Sequence, residues 1–531
     1  MHDQAFAFTR RGLLGVGAAL ASLPLLEACG FKSGSKALVV GITEDPTTLT
    51  SAMTSAGYAQ YLSPKIFDGL LGYGRDLRPY PRLAAAWHYN ADDTALTLNL
   101  RPGVKWHDGA PFTSADVAWS ALHIWKVYHS RGRMTYANLI AVDTPDPLTA
   151  VFRFSKPAPY VVSALAANES QVVPRHLYEG RDVLTNPANI KPVGTGPFRF
   201  AEWQRGQFIR FERNDDFWDK GKPHLDGIIF RVIGDGAAQA AALEAGEIHL
   251  SKLIPVGDYD RIEKLPDIRH DDRLYGLEVG GVGIEFNLDV PRLRDVRVRQ
   301  AVAHAIDKDF ILKTIYHGTG VIDDTPISSI YPAFHTDDVP RYPPDPAKAI
   351  ALLDEAGLHP DANGVRLSFR LAPTPGGSIS LQLAEYIHSA LAKVGIDAKI
   401  ESQDFATFVK RVYTDRDFDV AISGGQMGPD PVIGTHRFYW SKSFKPGVAF
   451  SNGAHYANPI VDAALESAAS EVDPAKRRAF YATFQRQAMI DLPRIPLLTT
   501  SSGRLFYNTR VSPLPDTAEG LMGTFADVRL A

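Results

Sequence analysis

The chain has 531 residues, of which 45% are hydrophobic, and a net charge of −4 at pH 7. This length exceeds what a single hydrophobic core usually holds, so two or more domains are predicted. The basic residues are spread along the chain and form no concentrated face or tail, which argues against a nucleic-acid partner.

The N-terminal residues have the pattern of an export signal. Residues 9–14 (TRRGLL) look like a twin-arginine motif, and residues 12–26 form the apolar segment that accompanies it. We expect residues 1–28 to be a signal peptide, Cys29 to carry a lipid, and residues 29–36 to tether the protein to a membrane. Cys29 could instead be an incidental small residue of the signal. It is the single cysteine, which excludes an internal disulfide and a thiolate zinc site.

The first strand is predicted over residues 37–43 (ALVVGIT), a short apolar run that ends in polar side chains. A helix closed by a turn is predicted over residues 58–71. Thr43 and Glu44, at the end of the strand, could line a ligand site. They could equally belong to a solvated turn, and the local sequence does not separate the two interpretations.

The segment around Trp106 has the most specific local pattern of the chain. Residues 96–100 (LTLNL) alternate between apolar and polar, which predicts a half-buried strand. Two turns rich in proline and glycine follow. Thr113 and Asp116 then stand at capping-box spacing, so a helix is predicted to start there. Trp106 and Phe112 are expected to anchor this structure in the core.

The same segment carries a family resemblance. Residues 101–120 (RPGVKWHDGAPFTSADVAWS), together with PRLAAAW at 81–87, closely resemble the signature of extracellular solute-binding protein family 5. Members of that family are the peptide, nickel and opine receptors of ABC importers. The resemblance implies an α/β fold of the periplasmic-binding-protein type II class, a two-lobe clamshell with an extra subdomain on lobe one. It also implies a monomer with a small-molecule solute, ABC permease and ATPase partners, no cofactor, no metal and no enzymatic activity.

Further segments extend the resemblance along the chain. Residues 193–198 (VGTGPF) and 213–235 match family segments, and the two glycines of the first indicate a tight turn into a strand. No Lys-Ser/Thr follows them, so a nucleotide loop is not predicted. The resemblance predicts lobe I over residues 37–57, 181–280 and 503–531, the extra subdomain over 58–180, and lobe II over 281–502.

Within this division, residues 275–288 are predicted to cross into lobe II and residues 493–502 (PRIPLLTTSS) to cross back. The helix predicted over residues 296–306 (VRVRQAVAHAI) resembles a family helix and has an apolar face. Further helices are predicted over 239–246, 346–357, 381–395 and 473–490. Further strands are predicted over 228–233, 396–401 and 418–423.

The candidate ligand site is the segment SGGQMGPDP at 423–431. Adjacent glycines at a strand end allow a ligand to approach the backbone closely, and ligands often bind at the ends of α/β strands. A tight turn backed by core aromatics is the alternative. The predicted ligand-binding residues are Thr43, Glu44, Gly425, Gln426, Met427, Arg437 and Trp440. Arg437 could pair with a carboxylate or phosphate, or simply face solvent.

At this segment the sequence departs from its relatives. Peptide receptors of the family tend to have Trp-x-x-Asp four residues before the proline that corresponds to Pro431, and that Asp pairs with the peptide's α-ammonium. Here the Asp position holds Met427 and the Trp position holds Gly424. Free peptides are therefore predicted to bind poorly unless another acid, such as Glu44, replaces the anchor. A flexible Met427 and extra room at Gly424 would suit a bulkier or partly apolar solute, whereas Asp430 is expected to shape the turn.

The sequence contains no G-x-S-x-G, H-E-x-x-H, Walker A or Rossmann motif. Ser33 and Lys36 have S-x-x-K spacing, but they fall in the predicted tether, so coincidence is the better interpretation. His436 is the one histidine expected near the cleft, and a hydrogen-bonded structural role is its alternative. Two other functions stay open: a lipoprotein hydrolase that uses the same cleft, and a sensor or chaperone with a different membrane partner.

Overall fold

The computed structural model describes residues 35–375, 378–501 and 503–531. The predicted signal peptide, Cys29 and most of the predicted tether lie outside these ranges. Within them the chain forms two large β-sheets and two small ones, with helices between the strands. No helix in these ranges combines the length and the hydropathy that a membrane span requires.

Strands and helices follow one another along most of the chain. The strands are β1 (Ala37–Ile42), β2 (Leu71–Tyr73), β3 (Pro79–Pro81), β4 (Ala84–Tyr89), β5 (Ala95–Leu100), β6 (Leu139–Asp146), β7 (Thr149–Phe154), β8 (Phe198–Gln204), β9 (Phe208–Arg213), β10 (Gly227–Val232), β11 (Leu250–Ser251), β12 (Ile268–Asp271), β13 (Gly280–Phe286), β14 (Val321–Ile322), β15 (Leu367–Pro373), β16 (Ile396–Ile400), β17 (Val420–Gln426), β18 (Arg494–Thr500) and β19 (Leu505–Asn508). The helices are α1 (Gly57–Ile66), α2 (Ser114–Ser120), α3 (Gly132–Thr135), α4 (Arg175–Tyr178), α5 (Gly236–Glu244), α6 (Tyr259–Ile262), α7 (Val296–His304), α8 (Lys308–Phe310), α9 (Pro346–Glu355), α10 (Ser378–Ala392), α11 (Phe405–Val409), α12 (His436–Tyr439), α13 (Pro459–Ser470) and α14 (Pro474–Asp491).

The first large sheet has seven strands in the order β12-β19-β11-β1-β10-β9-β8. Strand β1 lies at its centre, in parallel with β10 and β11. All six residues of β1 are buried, as expected for a strand that is covered on both faces and therefore has a continuous apolar sequence. The prediction of a strand at this position is confirmed.

His249, which directly precedes β11, forms a hydrogen bond with β1. Its Nδ1 accepts a hydrogen bond from the backbone N–H of Val39 at 2.9 Å, and burial lowers its pKa to about 4. The unfolded chain takes up this proton near pH 6.5, so the stability that neutral His249 provides above pH 6.5 is lost as the pH falls toward 4.

His249→Asn is expected to reduce this pH dependence, since an amide oxygen can accept the same hydrogen bond without titrating. Between pH 7 and pH 5, the free energy of unfolding should fall by about 2 kcal/mol less in the variant than in the wild type. Urea unfolding at both pH values measures the difference. Equal losses in the two proteins would show that His249 is not the group that titrates.

The region around Trp106 forms the structure that its sequence predicts. Strand β5 belongs to a four-stranded sheet of order β4-β5-β7-β6, and its leucines are buried while Asn99 is exposed. Thr113 and Asp116 form the capping box at the start of α2. The rings of Trp106 and Phe112 are buried and lie 5.7 Å apart. This sheet and the seven-stranded sheet share one continuous hydrophobic core.

The second large sheet has six strands in the order β14-β18-β13-β17-β15-β16 and a separate hydrophobic core. Strand β13 runs antiparallel to both β17 and β18. The chain passes from the first large sheet to the second between β12 and β13, and it returns between β18 and β19. The two sheets are therefore connected by two separate chain segments.

Several predicted elements end at other residues than predicted, and two of these differences lie close to the candidate site. Helix α1 ends at Ile66 and not at residue 71, because Phe67 has extended backbone angles and the carboxylate of Asp68 accepts the N–H of Gly69 at 2.8 Å. The strand predicted over 418–423 continues to Gln426, since the residues beyond Ser423 keep their pairing with β13. Residues 424–426 of the SGGQMGPDP segment thus belong to β17.

Candidate ligand-binding site

A cavity of about 730 Å³ lies between the two large sheets. Gly41 and Glu44 line it at the end of β1, residues 280–282 at the start of β13, residues 422–426 at the end of β17, and Thr500 at the end of β18. Strand ends from both sheets thus meet around one space. Its volume falls within the range of small-molecule sites, and its position resembles that of ligand sites in other α/β proteins.

One wall of the cavity is built by helix α1, which contributes Tyr58 and Tyr61. The hydroxyl of Tyr58 accepts the backbone N–H of Thr43 at 2.9 Å and lies 2.6 Å from the Thr43 hydroxyl. Burial raises the pKa of Tyr58, so its phenol is neutral at pH 7. Thr43 thus positions the Tyr58 hydroxyl, whereas direct contact between Thr43 and a solute stays a prediction.

Other parts of the wall are mainly apolar. Ile379 and Leu383 of helix α10 face the cavity, as do Tyr316, Leu521 and Met522. A largely apolar wall with a few polar groups is typical of sites that bind organic solutes. The sequence did not predict these five residues, because they come from three distant parts of the chain and belong to no recognisable motif.

Some charged side chains of the cavity wall already have partners, and one is exposed. Lys252 and Glu278 form an ion pair, with side chains 15% and 6% exposed. Asp45 accepts hydrogen bonds from the Trp203 indole at 2.9 Å and from the N–H of Gly206. Glu44 is exposed, so it is the wall acid that is best placed to meet a cationic group of a solute.

Glycines bring strands β13 and β17 unusually close together at the cavity. A Cβ atom on Gly424 would lie 1.9 Å from the carbonyl oxygen of Gly281, and one on Gly281 would lie 2.8 Å from the Met427 sulfur. The prediction that Gly424 leaves extra room for a solute is therefore wrong. The space beside Gly424 is filled by the backbone of the neighbouring strand.

The structure separates the predicted residues of this segment into two groups. Gly425 and Gln426 line the cavity. Met427 is 8% exposed and packs in a core cluster with Phe438, and the indole of Trp440 donates to Glu466 at 2.9 Å. Neither is among the described residues that line the cavity, because the chain turns away from it after Gln426, and their contact with a solute stays a prediction.

The residues that follow are held by buried polar contacts. Asp430 forms a two-point ion pair with Arg477, at 2.7 and 2.8 Å, and its carboxylate also accepts the N–H of Val432. This geometry agrees with the expectation that Asp430 shapes the turn. His436 is buried, with its Nε2 3.1 Å from the Tyr481 hydroxyl, which is the structural role that the sequence left open.

Arg437 lies against the cavity end of β17. Its Nη2 donates to the backbone oxygen of Gln426 at 3.3 Å. The side-chain oxygen of Gln426 also accepts a hydrogen bond from Arg131, which connects the segment preceding α3 to the end of β17. Arg131 was not predicted as part of the site, because no local pattern distinguishes it from other arginines.

Known proteins resemble the chain over most of its length. The family model for the middle part of bacterial extracellular solute-binding proteins, family 5, matches residues 78–453. Oligopeptide-binding protein AppA of Bacillus subtilis is 27% identical over 500 residues, which cover 91% of this chain and 88% of AppA. Glutathione-binding protein GsiB of Salmonella paratyphi A is 26% identical over 494 residues, covering 91% and 92% of the two chains.

Solved structures confirm the predicted fold class. AppA from Bacillus subtilis, in complex with a nonapeptide, superimposes with a TM-score of 0.79 at 25% identity and covers 94% of this chain and 99% of its own. AgaA from A. tumefacien R10, in complex with agropinic acid, gives a TM-score of 0.78 at 26% identity, with coverage of 93% and 99%. The family model and these two-lobe structures together establish that the chain belongs to the bacterial extracellular solute-binding proteins of family 5.

Proposed function

We propose that this protein captures a small solute, a peptide or a peptide-like or opine-like compound, in the cavity between its two large sheets. It delivers the solute to a membrane permease that an ATPase drives. The observation that carries the proposal is the cavity itself, whose wall combines the ends of β1, β13, β17 and β18 with side chains of α1 and α10. The relatives named above bind oligopeptides, glutathione and agropinic acid.

The two chain crossings suit a clamshell that closes by hinge motion. We assign residues 37–57, 181–280 and 503–531 to lobe I, 58–180 to its extra subdomain, and 281–502 to lobe II. Because a solute can favour the closed form only through contacts that the open form lacks, it must touch both walls. Glu44 on the lobe I wall and Gln426 on the lobe II wall would provide such contacts.

We also propose that the protein is exported and anchored to a membrane. The twin-arginine motif supports export to the periplasm, and Cys29 followed by a Gly/Ser/Lys segment supports lipid attachment to a membrane. A tethered monomer would remain close to its permease while it samples solutes. Both features lie within residues 1–36.

Free di- and tripeptides are expected to leave the melting temperature of the protein unchanged. A different small molecule, the native solute, is expected to be bound when the protein is purified from its own host. Met427 occupies the position at which peptide receptors of the family have an acid, so a buried α-ammonium would lack its partner, at a cost of several kcal/mol. Native mass spectrometry of protein purified from its own host should detect a bound small molecule. Thermal unfolding with added Ala-Ala and Ala-Ala-Ala tests the peptides.

Re-addition of the extracted solute is the positive control and should raise the melting temperature. Micromolar binding of a simple dipeptide would contradict the missing-anchor prediction, and loss of that binding in Glu44→Gln would then identify Glu44 as the substitute. Catalytic conversion of the extracted solute by the purified protein would instead support a hydrolase and count against the proposed function.

A further inference from the structure

Arg437 is a half-buried cation with few partners. Its Nη2 makes a hydrogen bond of 3.3 Å to the Gln426 carbonyl oxygen, and its Nε is buried without a hydrogen-bond partner among the described residues. Its guanidinium also lies 4.6 Å from the centre of the Phe438 ring. A cation–π contact of this kind is favourable but does not replace a counter-charge.

The acids around Arg437 are already paired with other arginines. Glu169 forms an ion pair with Arg131, and Glu285 forms one with Arg494 at 2.8 Å. The described part of the cluster thus contains three guanidinium groups and two carboxylates, which leaves one positive charge without a counter-charge. Desolvation, together with the nearby charge of Arg131, lowers the pKa of Arg437 to about 10. It is nevertheless charged at pH 7.

The unpaired charge lies directly behind the cavity wall. A Cβ atom on Gly425 would be 2.5 Å from the Arg437 Nη2, and Gly425 lines the cavity. Only a residue without a side chain leaves the guanidinium in this position. In a partly desolvated site, such a charge attracts an oppositely charged group more strongly than it would in water.

We propose that the solute carries a carboxylate or phosphate that lies against Gly425 and Gln426 and supplies the counter-charge that Arg437 lacks. The inference rests on the proposed function and specifies the class of solute. In the family's peptide receptors an acid near this segment binds the ammonium group of the peptide, whereas here a cation would attract an acidic group of the solute. Met427 fits this polarity, since an acid at that position would neutralise the Arg437 cluster without a solute.

The proposal predicts that removing the Arg437 charge stabilises the empty protein but weakens its binding of acids. Without a solute, a partly desolvated cation that lacks a counter-charge is unfavourable. Arg437→Met should therefore raise the melting temperature of the empty protein while it weakens the binding of acids by about 10- to 100-fold, as expected when one opposite charge is lost from a partly desolvated site. Arg437→Lys keeps the charge and should retain more of the acid affinity than Arg437→Met. A merely structural arginine would lower the melting temperature when it is removed.

The experiment compares acids with their own primary amides. Probes are N-acetylated dipeptides with a free carboxylate, the same compounds as C-terminal amides, and inorganic phosphate, so that carboxylate and phosphate sources are distinguished. Thermal unfolding and calorimetry are run on the wild type, Arg437→Met, Arg437→Lys and the control Arg153→Met, whose arginine is 50% exposed on β7. The solute extracted from the native protein is identified by mass spectrometry and tested alongside.

We expect the wild type to prefer acids over amides, the extracted solute to be an anion, and both preferences to persist in Arg153→Met. A neutral or cationic native solute, equal binding of acids and amides, or acid binding that Arg437→Met leaves unchanged would overturn the inference while the proposed function stands. If no solute is extracted and no probe binds, the proposed function fails and the inference fails with it.

Discussion

Replacing Asp430 with asparagine is expected to lower the free energy of unfolding by about 3–5 kcal/mol. The Asp430 side chain is 1% exposed, and its partner Arg477 is 10% exposed. Removal of the carboxylate charge leaves a buried guanidinium unpaired, which costs more than the ion pair itself contributes. The same change should loosen the turn that follows Gln426 and thereby weaken solute binding.

Urea unfolding of two further variants separates the charge effect from the effect of any substitution. In Asp430→Leu/Arg477→Met both charges are absent, so most of the lost stability should return. Asp309→Asn breaks an ion pair with Lys313 in which both side chains are mostly exposed, and a change below about 1 kcal/mol is expected. If Asp430→Asn destabilises no more than Asp309→Asn, the buried pair is not a large contributor to stability.

The second large effect is expected at Gly194, in the VGTGPF segment. A Cβ atom at this position would lie 2.0 Å from the carbonyl oxygen of Ile66, at the end of α1. That oxygen cannot rotate away, because it accepts the N–H of Gly196 at 2.7 Å. Gly194→Ala must therefore move the backbone, and a loss of about 3 kcal/mol or more in unfolding free energy is expected.

Gly257→Ala is the matched control, since no atom lies within 4 Å of the added methyl group. It should be neutral or slightly stabilising, because alanine restricts the unfolded chain more than glycine does. Urea unfolding of both variants gives the comparison. Similar stabilities would mean that the segment tolerates a side chain and that close approach to α1 is not the reason for the glycine.

Local features of the sequence predicted local structure well. The capping box at Thr113 formed because its contacts join residues three positions apart. The strand at 96–100 and the helix beginning at Val296 have the periodicities that burial of one face requires. The end of α1 was mispredicted, since Asp68, which accepts the N–H of Gly69 just beyond the helix, is itself held by Arg82 and Trp218, which are distant in sequence.

At the candidate site the sequence located the segment but not the geometry. Glycines near a strand end predicted close approach, and Gly425 and Gln426 do line the cavity. What approaches Gly424, however, is strand β13. The residues that turn away from the cavity, Met427 and Trp440, could not be told apart from those that face it, because side-chain direction there depends on how the chain leaves the sheet.

The sequence by itself determined the family, the order of the elements and the absence of an acid at position 427, since each can be recognised from residues that are adjacent in the chain. Only the tertiary structure decided which side chains share the cavity and which charges remain unpaired. Whether Arg437 has a counter-charge depends on Arg131, Glu169, Glu285 and Arg494, which span 364 positions of the chain. Electrostatic energy depends on distance in space and on desolvation, and neither is fixed until the two sheets have packed.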